Sequence, residues 1–299
     1  MVPRVLVVGG SGMLGHKLLQ VLGERFDVAA TVRDAAAWIG HPLLGDRDRV
    51  LGGVEATKPE TIAEALTSVR PDVVVNCIGI VKQRAAASDP VQSILVNALF
   101  PHLLARQCRE IGCRLIHIST DCVFSGRSGG YSEADLPDPV DLYGRSKLLG
   151  EVAGPGLLTL RTSMIGRELG GRAGLLEWFV AQRGGHVRGF RRAVFSGLTT
   201  VALARLIGEV VSHHVSLEGL FHVASEPISK HDLLVRISDA LDLGIEIEPA
   251  SEPACDRSLD GARFAAATGI AVPTWDSMIM GLREDPTPYG EWRRAHEGT

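Results

Sequence analysis

The run Tyr143-Gly144-Arg145-Ser146-Lys147 sets a phenol and an ammonium four residues apart. On a helix, that spacing puts both on one face, a turn from each other. A free phenol loses its proton at about pH 10, too high for acid–base work at neutrality. An ammonium held nearby favours the phenolate and draws that value down. Thr120 ends an apolar strand expected over Arg114 to Ile118, where its hydroxyl is placed to bond a substrate oxygen. Tyr143, Lys147 and Thr120 are therefore the candidate catalytic residues of a proton-transfer site for a carbonyl or an alcohol.

Such a site needs a partner in redox chemistry, and the start of the chain suggests one. Arg4 to Val8 is a short β-branched run that leads into Gly9-Gly10-Ser11-Gly12-Met13-Leu14-Gly15. A helix is expected from Met13 to Leu22, with Leu14, Leu18, Val21 and Leu22 on its apolar side. Glycines at 9, 12 and 15 permit a tight turn, close backbone approach to a pyrophosphate and close helix–strand packing. The helix N-terminus offers N–H groups and partial positive charge to phosphates. Gly9, Ser11, Gly12, Met13, Leu14 and Gly15 are thus candidate cofactor contacts.

Strands and helices then alternate: Asp27 to Val32 (strand), Pro59 to Val69 (helix), Asp72 to Asn76 (strand), Asp89-Pro90 opening a helix to Ile111, and the Arg114 strand. This pattern predicts an α/β fold, a Rossmann-type doubly wound parallel sheet. Gly9, Arg33, Asn76 and Thr120 all fall at carboxyl ends of strands, where ligands bind on such sheets. Residues 126–139 read as a loop before the Tyr143 helix. Later segments read as a helix over 174–183, a helix capped by Thr199, a strand over 219–223, and helices capped by Ser229 and by Ser258. The expected division is a dinucleotide domain of residues 1–163 plus 190–223, and a smaller, mostly helical substrate domain of 164–189 and 224–299. Trp292, in the polar tail, is expected to tuck against the body.

Among the remaining candidates, Arg33 follows strand two, where an arginine accommodates a 2′-phosphate and an acid would bind the ribose hydroxyl. Asp34 is next to it, so the position of the strand end decides the reading. NADP(H) is preferred and NAD(H) is admitted, with Lys17 as a second phosphate contact. Cys77 and Gly79 would line the cofactor ribose, and Asn97 would bridge from its helix to the site backbone. Lys82, Arg84, Glu133 and Arg161 read by default as solvated charges and, functionally, as charges that would meet a substrate, and Asp121 and Cys122 adjoin Thr120. Arg257 either faces phosphate or decorates a cap. The five cysteines include no CxxC pair, and His213-His214 has no further ligand spacing, so neither a disulfide framework nor a metal site is expected. A net charge of −4 over 299 residues gives no electrostatic case for nucleic acid or membrane. With no apolar run of about 18 residues and a start that passes straight into a strand, the expected setting is the cytoplasm.

With these residues placed, the sequence resembles the extended short-chain dehydrogenase/reductases, and within them the dTDP-4-dehydrorhamnose reductase branch. The likeness rests on GGSGMLG, STDCVFSG, YGRSKLLGE, LRTS and CDRSLD. It implies hydride delivery from NADPH to C4 of a nucleotide-linked 4-keto-6-deoxy sugar, with Tyr143 donating the proton. It further implies that Lys147 holds the nicotinamide ribose, that Thr120 orients the ketone, and that Arg257 lies near the sugar nucleotide. Cys122 stands where the family has tyrosine. The glutamate that follows Thr-Asp in the related dehydratases is missing, which favours reduction over elimination of water. A nucleotide-sugar epimerase that retains NAD(H) and a non-catalytic regulatory subunit are the rival readings, and a homodimer is left open.

Overall fold

The computed structural model describes residues 2–34, 49–81, 88–170 and 174–291. Within them the chain forms two compact units, Met1–Ser119 with Asp141–Leu160 and Ala204–Leu220, and Thr120–Val140 with Arg161–Leu203 and Phe221–Thr299. This division differs from the expected one in giving residues 120–140, 161–163, 190–203 and 221–223 to the second unit.

The first unit is built on a seven-stranded sheet in the order β11-β6-β5-β4-β1-β2-β3. Its strands are β1 (Arg4–Val8), β2 (Asp27–Thr31), β3 (Val50–Leu51), β4 (Val73–Asn76), β5 (Arg114–Thr120), β6 (Leu157–Thr162) and β11 (Gly219–His222). Parallel registers such as Val5↔Val28, Val5↔Val73 and Val73↔Arg114 run from β2 through β1 and β4 to β5. The order reverses between β1 and β4, the switch point at which doubly wound sheets bind ligands. Val5 to Val8 and Val73 to Val75 are buried on both faces, as a helix-covered parallel sheet requires. The helices are α1 (Met13–Leu22), α2 (Pro59–Val69), α3 (Pro90–Ser93), α4 (Phe100–Ile111), α5 (Leu142–Leu149) and α7 (Thr200–His213). On one side Ile62, Leu66, Phe100, Leu104 and Cys108 pack with Leu6, Val74 and Leu115 into a core.

Helix starts follow their caps. Asp89 accepts from Val91 N and Gln92 N ahead of Pro90, and Asp141 accepts from Gly144 N to open the Tyr143 helix. Two expectations need adjustment here. The helix expected from Pro90 to Ile111 is interrupted by a π-helical turn over Ile94–Leu99, and β2 ends at Thr31, one residue early.

The second unit joins four helices, α6 (Leu175–Val180), α8 (Lys230–Ala240), α9 (Ala262–Thr268) and α10 (Trp275–Arg283), with three small sheets that the sequence pattern did not announce. These pair β7 (Met164–Ile165) with β10 (Leu198–Thr199), β8 (His186–Phe190) with β13 (Glu246–Ala250), and β9 (Ala193–Phe195) with both β12 (Ile228–Ser229) and β14 (Cys255–Asp256). Strands of two or three residues are too short for an alternating pattern to register. Ser229 caps α8 through Asp232 N as expected. Ser258 does not cap a helix: α9 begins only at Ala262, and the Ser258 hydroxyl serves Asp256 and Gly130 instead. Trp292 lies outside the described residues. Among the described residues no helix is long and apolar enough to cross a membrane.

Candidate functional site

The glycine-rich turn follows β1 directly. Gly9 has φ +94°, a left-handed conformation that favours glycine, and Gly12 N donates to Gly9 O at 3.1 Å. A Cβ on Gly15 would sit 2.1 Å from Gly9 O, so only glycine lets α1 close onto the turn. Helix α1 has Gly12 as its N-cap, a residue with no side chain of its own to cap the first-turn N–H groups. Ser11 is exposed, Met13 is half-buried and Leu14 is buried. Past the end of β2, Arg33 is exposed, and its carbonyl accepts Gly53 N. Lys17 is only 2% exposed and its ammonium donates to Gln20, a placement at odds with a phosphate-facing role.

After β4 the chain turns at Asn76-Cys77-Ile78-Gly79. Asn76 Oδ1 accepts Ile78 N, and its amide bonds His117 Nδ1 at 3.1 Å. Asn97 reaches this turn from the π-helical segment. Its Oδ1 accepts Ile80 N at 2.8 Å, and its amide donates to Ile80 O and to Ser146 Oγ. The widened turn puts a polar residue inside the helix to work, and π-turns often mark functional positions. A Cβ on Gly79 would lie 3.4 Å from Asn97 Oδ1 and 4.0 Å from Lys147 Nζ, so Gly79, Asn97 and Lys147 share one neighbourhood.

Tyr143 is half-buried on α5, and Lys147 is 5% exposed one turn further on. The Lys147 ammonium donates to Ile118 O at 2.7 Å. Burial lowers its pKa to about 8, against the opposing pull of Glu151 and Cys77. Glu151 is itself held by Ser119 Oγ at 2.7 Å. The enclosed Cys77 thiol is pushed by burial up to about 12, with Lys147 acting the other way, which makes it a neutral wall of the site. His117 is buried with Nε2 unpartnered, and burial, then Lys147 and His102, holds it well below its ordinary pKa. Among the described residues these arrangements leave Lys147 as a buried cation beside the Gly79 turn, one helical turn from a phenol.

The remaining candidates lie in the second unit, which begins at Thr120. The Thr120 hydroxyl donates to Asp121 Oδ1 and accepts Cys122 N, so Thr120 caps a short 3₁₀ turn over Asp121–Val123. Asp121 is buried and Cys122 half-buried. Glu133 accepts His222 N at 2.7 Å. Arg161 is 4% exposed, 5.3 Å over the Phe124 ring, with Nη1 3.3 Å from His222 Nε2. Arg257 donates from Nε to Phe124 O at 2.9 Å. Two glycines fit this same scaffold, because a Cβ on Gly126 would lie 2.4 Å from Cys255 Sγ and one on Gly129 would meet the Asp256 carboxylate. Glu133, Arg161 and Arg257 thus make structural contacts in this unit, on charges that the sequence suggested for a substrate. His222 and Tyr131, which complete the cluster with Phe124 stacked on Tyr131 at 4.2 Å, were not foreseen, because their partners are remote in sequence. Lys82 and Arg84 lie outside the described residues. Among the described residues no group of three or more His, Cys, Asp or Glu is arranged to hold a metal.

Residues 3–281 match the family model of the RmlD substrate binding domain. The chain is 34% identical over 167 residues to a dTDP-4-dehydrorhamnose reductase of Burkholderia thailandensis, covering 54% of this chain and 50% of that protein. It is 31% identical over 237 residues to the "Probable low-salt glycan biosynthesis reductase Agl14" of Haloferax volcanii, 74% of each. The match thus spans about half the length of the Burkholderia reductase and of similar reductases from Streptomyces griseus and Escherichia coli. In fold, the chain is similar to a dTDP-4-dehydrorhamnose reductase from Bacillus anthracis solved in complex with NADP, with TM-score 0.78, 21% identity, and coverage of 94% of this chain and 99% of that one.

Proposed function

Since the chain belongs to the RmlD substrate binding domain family, we propose that it is an NADPH-dependent reductase of the C4 ketone of a nucleotide-linked 4-keto-6-deoxy sugar. The observation that carries this reading is the buried ammonium of Lys147, tied to Ile118 O one helical turn from Tyr143. The turn from Gly9 to Gly15 fits a dinucleotide, because its glycines exclude side chains and α1 presents first-turn N–H groups behind a glycine N-cap. Exposed Arg33 suits a 2′-phosphate. When bound, NADPH supplies the hydride.

The chain's own residues do the rest. As the ketone oxygen gains negative charge, Tyr143 donates its phenolic proton. Lys147 keeps two donors beyond the one given to Ile118 O, enough to reach the nicotinamide ribose and to favour the phenolate left behind. Asn97 holds the Ile80 backbone, and Cys77 and Gly79 line the ribose. Thr120 orients the ketone oxygen by exchanging its bond to Asp121. Asp121, Cys122, Glu133, Arg161 and Arg257 belong to the unit that recognises the sugar nucleotide, with Cys122 in place of a tyrosine leaving room beside the sugar.

The test is a titration with NADPH and NADH, followed by turnover on a panel of nucleotide 4-keto-6-deoxy sugars, read as loss of nicotinamide absorbance. One NADPH consumed per sugar reduced supports the reductase. Sugar interconversion without net oxidation supports a nucleotide-sugar epimerase, and binding with no turnover supports a regulatory subunit.

A further inference from the structure

Helix α4 ends in a motif that brings two thiols together. Gly112 adopts a left-handed conformation with φ +72°, Cys113 N donates to Cys108 O at 2.9 Å, and Gly112 N donates to Arg109 O. This is the Schellman pattern, in which the side chains four positions before and one position after the left-handed residue meet in an apolar contact. Both of those side chains are cysteines here, Cys108 and Cys113. Both are free thiols buried in the core of the first unit.

We propose that Cys108 and Cys113 form an oxidisable dithiol, a site at which a peroxide closes a disulfide between the end of α4 and the start of β5. A backbone bond between the two residues already holds their Cα atoms at the close approach that a disulfide needs. The roles of the two sulfurs differ. Cys113 is slightly exposed, at 8%, while Cys108 is fully buried. Its greater exposure makes Cys113 the sulfur that a peroxide reaches first, and so the nucleophile. The Cys113 thiol releases its proton, the thiolate attacks a peroxide oxygen and the O–O bond breaks, and the departing hydroxide takes up that proton, giving a sulfenic acid and one water. The Cys108 sulfur then attacks the Cys113 sulfur, its proton leaves with the departing hydroxide as a second water, and the S–S bond forms. Two thiols are oxidised by two electrons and one hydrogen peroxide is reduced to two waters. No cofactor takes part.

The sequence supplies a convenient assay. Arg106, Arg109 and Arg114 flank the two cysteines, so trypsin releases Gln107–Arg109 and Glu110–Arg114 as separate peptides unless a disulfide joins them. The folded full-length chain would be treated with hydrogen peroxide, its remaining thiols alkylated, and its tryptic peptides weighed. The expected result is the joined pair, lighter by two hydrogens than the sum of the free peptides and released by dithiothreitol. Cys108→Ser should instead leave Cys113 carrying added oxygen. Recovery of both peptides alkylated, or of oxygen on Cys113 of the unaltered chain with no joined species, overturns the proposal. So does a link that forms only after the chain is unfolded in urea.

Discussion

At the scale of single residues, the weight of the site falls on an unequal pair. Tyr143 is half-buried while Lys147 is enclosed, so the ammonium is kept from water and the tyrosine is partly open to it. In the proposed mechanism Tyr143→Phe removes only the proton donor. Turnover should fall by about 10²-fold or more while the NADPH dissociation constant is unchanged, a split that steady-state kinetics and fluorescence titration together would read. Turnover equal to the unaltered chain would sink the mechanism. Lys147 also leaves a mark on stability. Its pKa is about 8 in the folded chain against 10.5 for the free group. Between these values the unfolded chain holds more protons, so stability rises with pH across that window. Below the folded value the cost of burying the charge is present in full, and above the unfolded value it is gone. The rise is on the order of 3 kcal/mol. Lys147→Met should flatten the curve between pH 8 and 10.5, as urea denaturation at stepped pH would show, and an identical slope in both proteins would refute the assignment.

At the scale of elements, the site depends on how the π-turn meets α5. A Cβ on Gly150 would lie 1.9 Å from Asn97 O, an atom of the backbone that cannot swing aside. Gly150→Ala should therefore push α5 and the π-turn apart, costing on the order of 2 kcal/mol and weakening NADPH binding as Asn97 loses its grip on Ile80. A melting temperature and NADPH affinity equal to the unaltered chain would show that the contact is slack. This packing also marks where sequence reading succeeded and where it failed. The turn at Gly9, the Tyr143–Lys147 spacing and the helix over Pro59–Val69 are local patterns, set by neighbours a few residues apart, and they were legible. The π-turn was not, because nothing local distinguishes the extra residue at Asn97 from an ordinary helical polar position. The Ser258 cap was misread, and the contacts of Glu133 and Arg161 were missed, for a related reason. A buried arginine over Phe124 and a serine serving Gly130 are products of contacts spanning tens to more than a hundred residues, and a charge in a sequence reads as solvated until its partner is known.

At the scale of the whole molecule, the glycine-rich turn and the Tyr143–Lys147 pair belong to the first unit, and most of the charges suggested for the sugar nucleotide belong to the second. Ligand-linked stability can separate the two roles. A cofactor that binds only the folded chain adds about 2.7 kcal/mol when present at 100 times its dissociation constant. NADPH and NADH at one fixed concentration should raise the melting temperature unequally, NADPH more. Arg33→Ala should erase most of that difference while leaving the NADH shift in place. Equal losses for both cofactors would mean that Arg33 does not read the 2′-phosphate.

The two units interleave along the chain, and this bears on the order in which the protein can be made. Ala204–Leu220 closes the first unit: Gly208 admits Leu22 and Phe26 beside it, and Arg114 donates to Val210 O and Leu217 O. On the ribosome, the strands and the glycine-rich turn emerge early but wait for that last segment, and the whole middle of the second unit must be threaded out first. The nascent chain thus carries an unfinished nucleotide fold through much of its synthesis, and an encounter with the dinucleotide before Leu220 has emerged would find the cradle only partly supported.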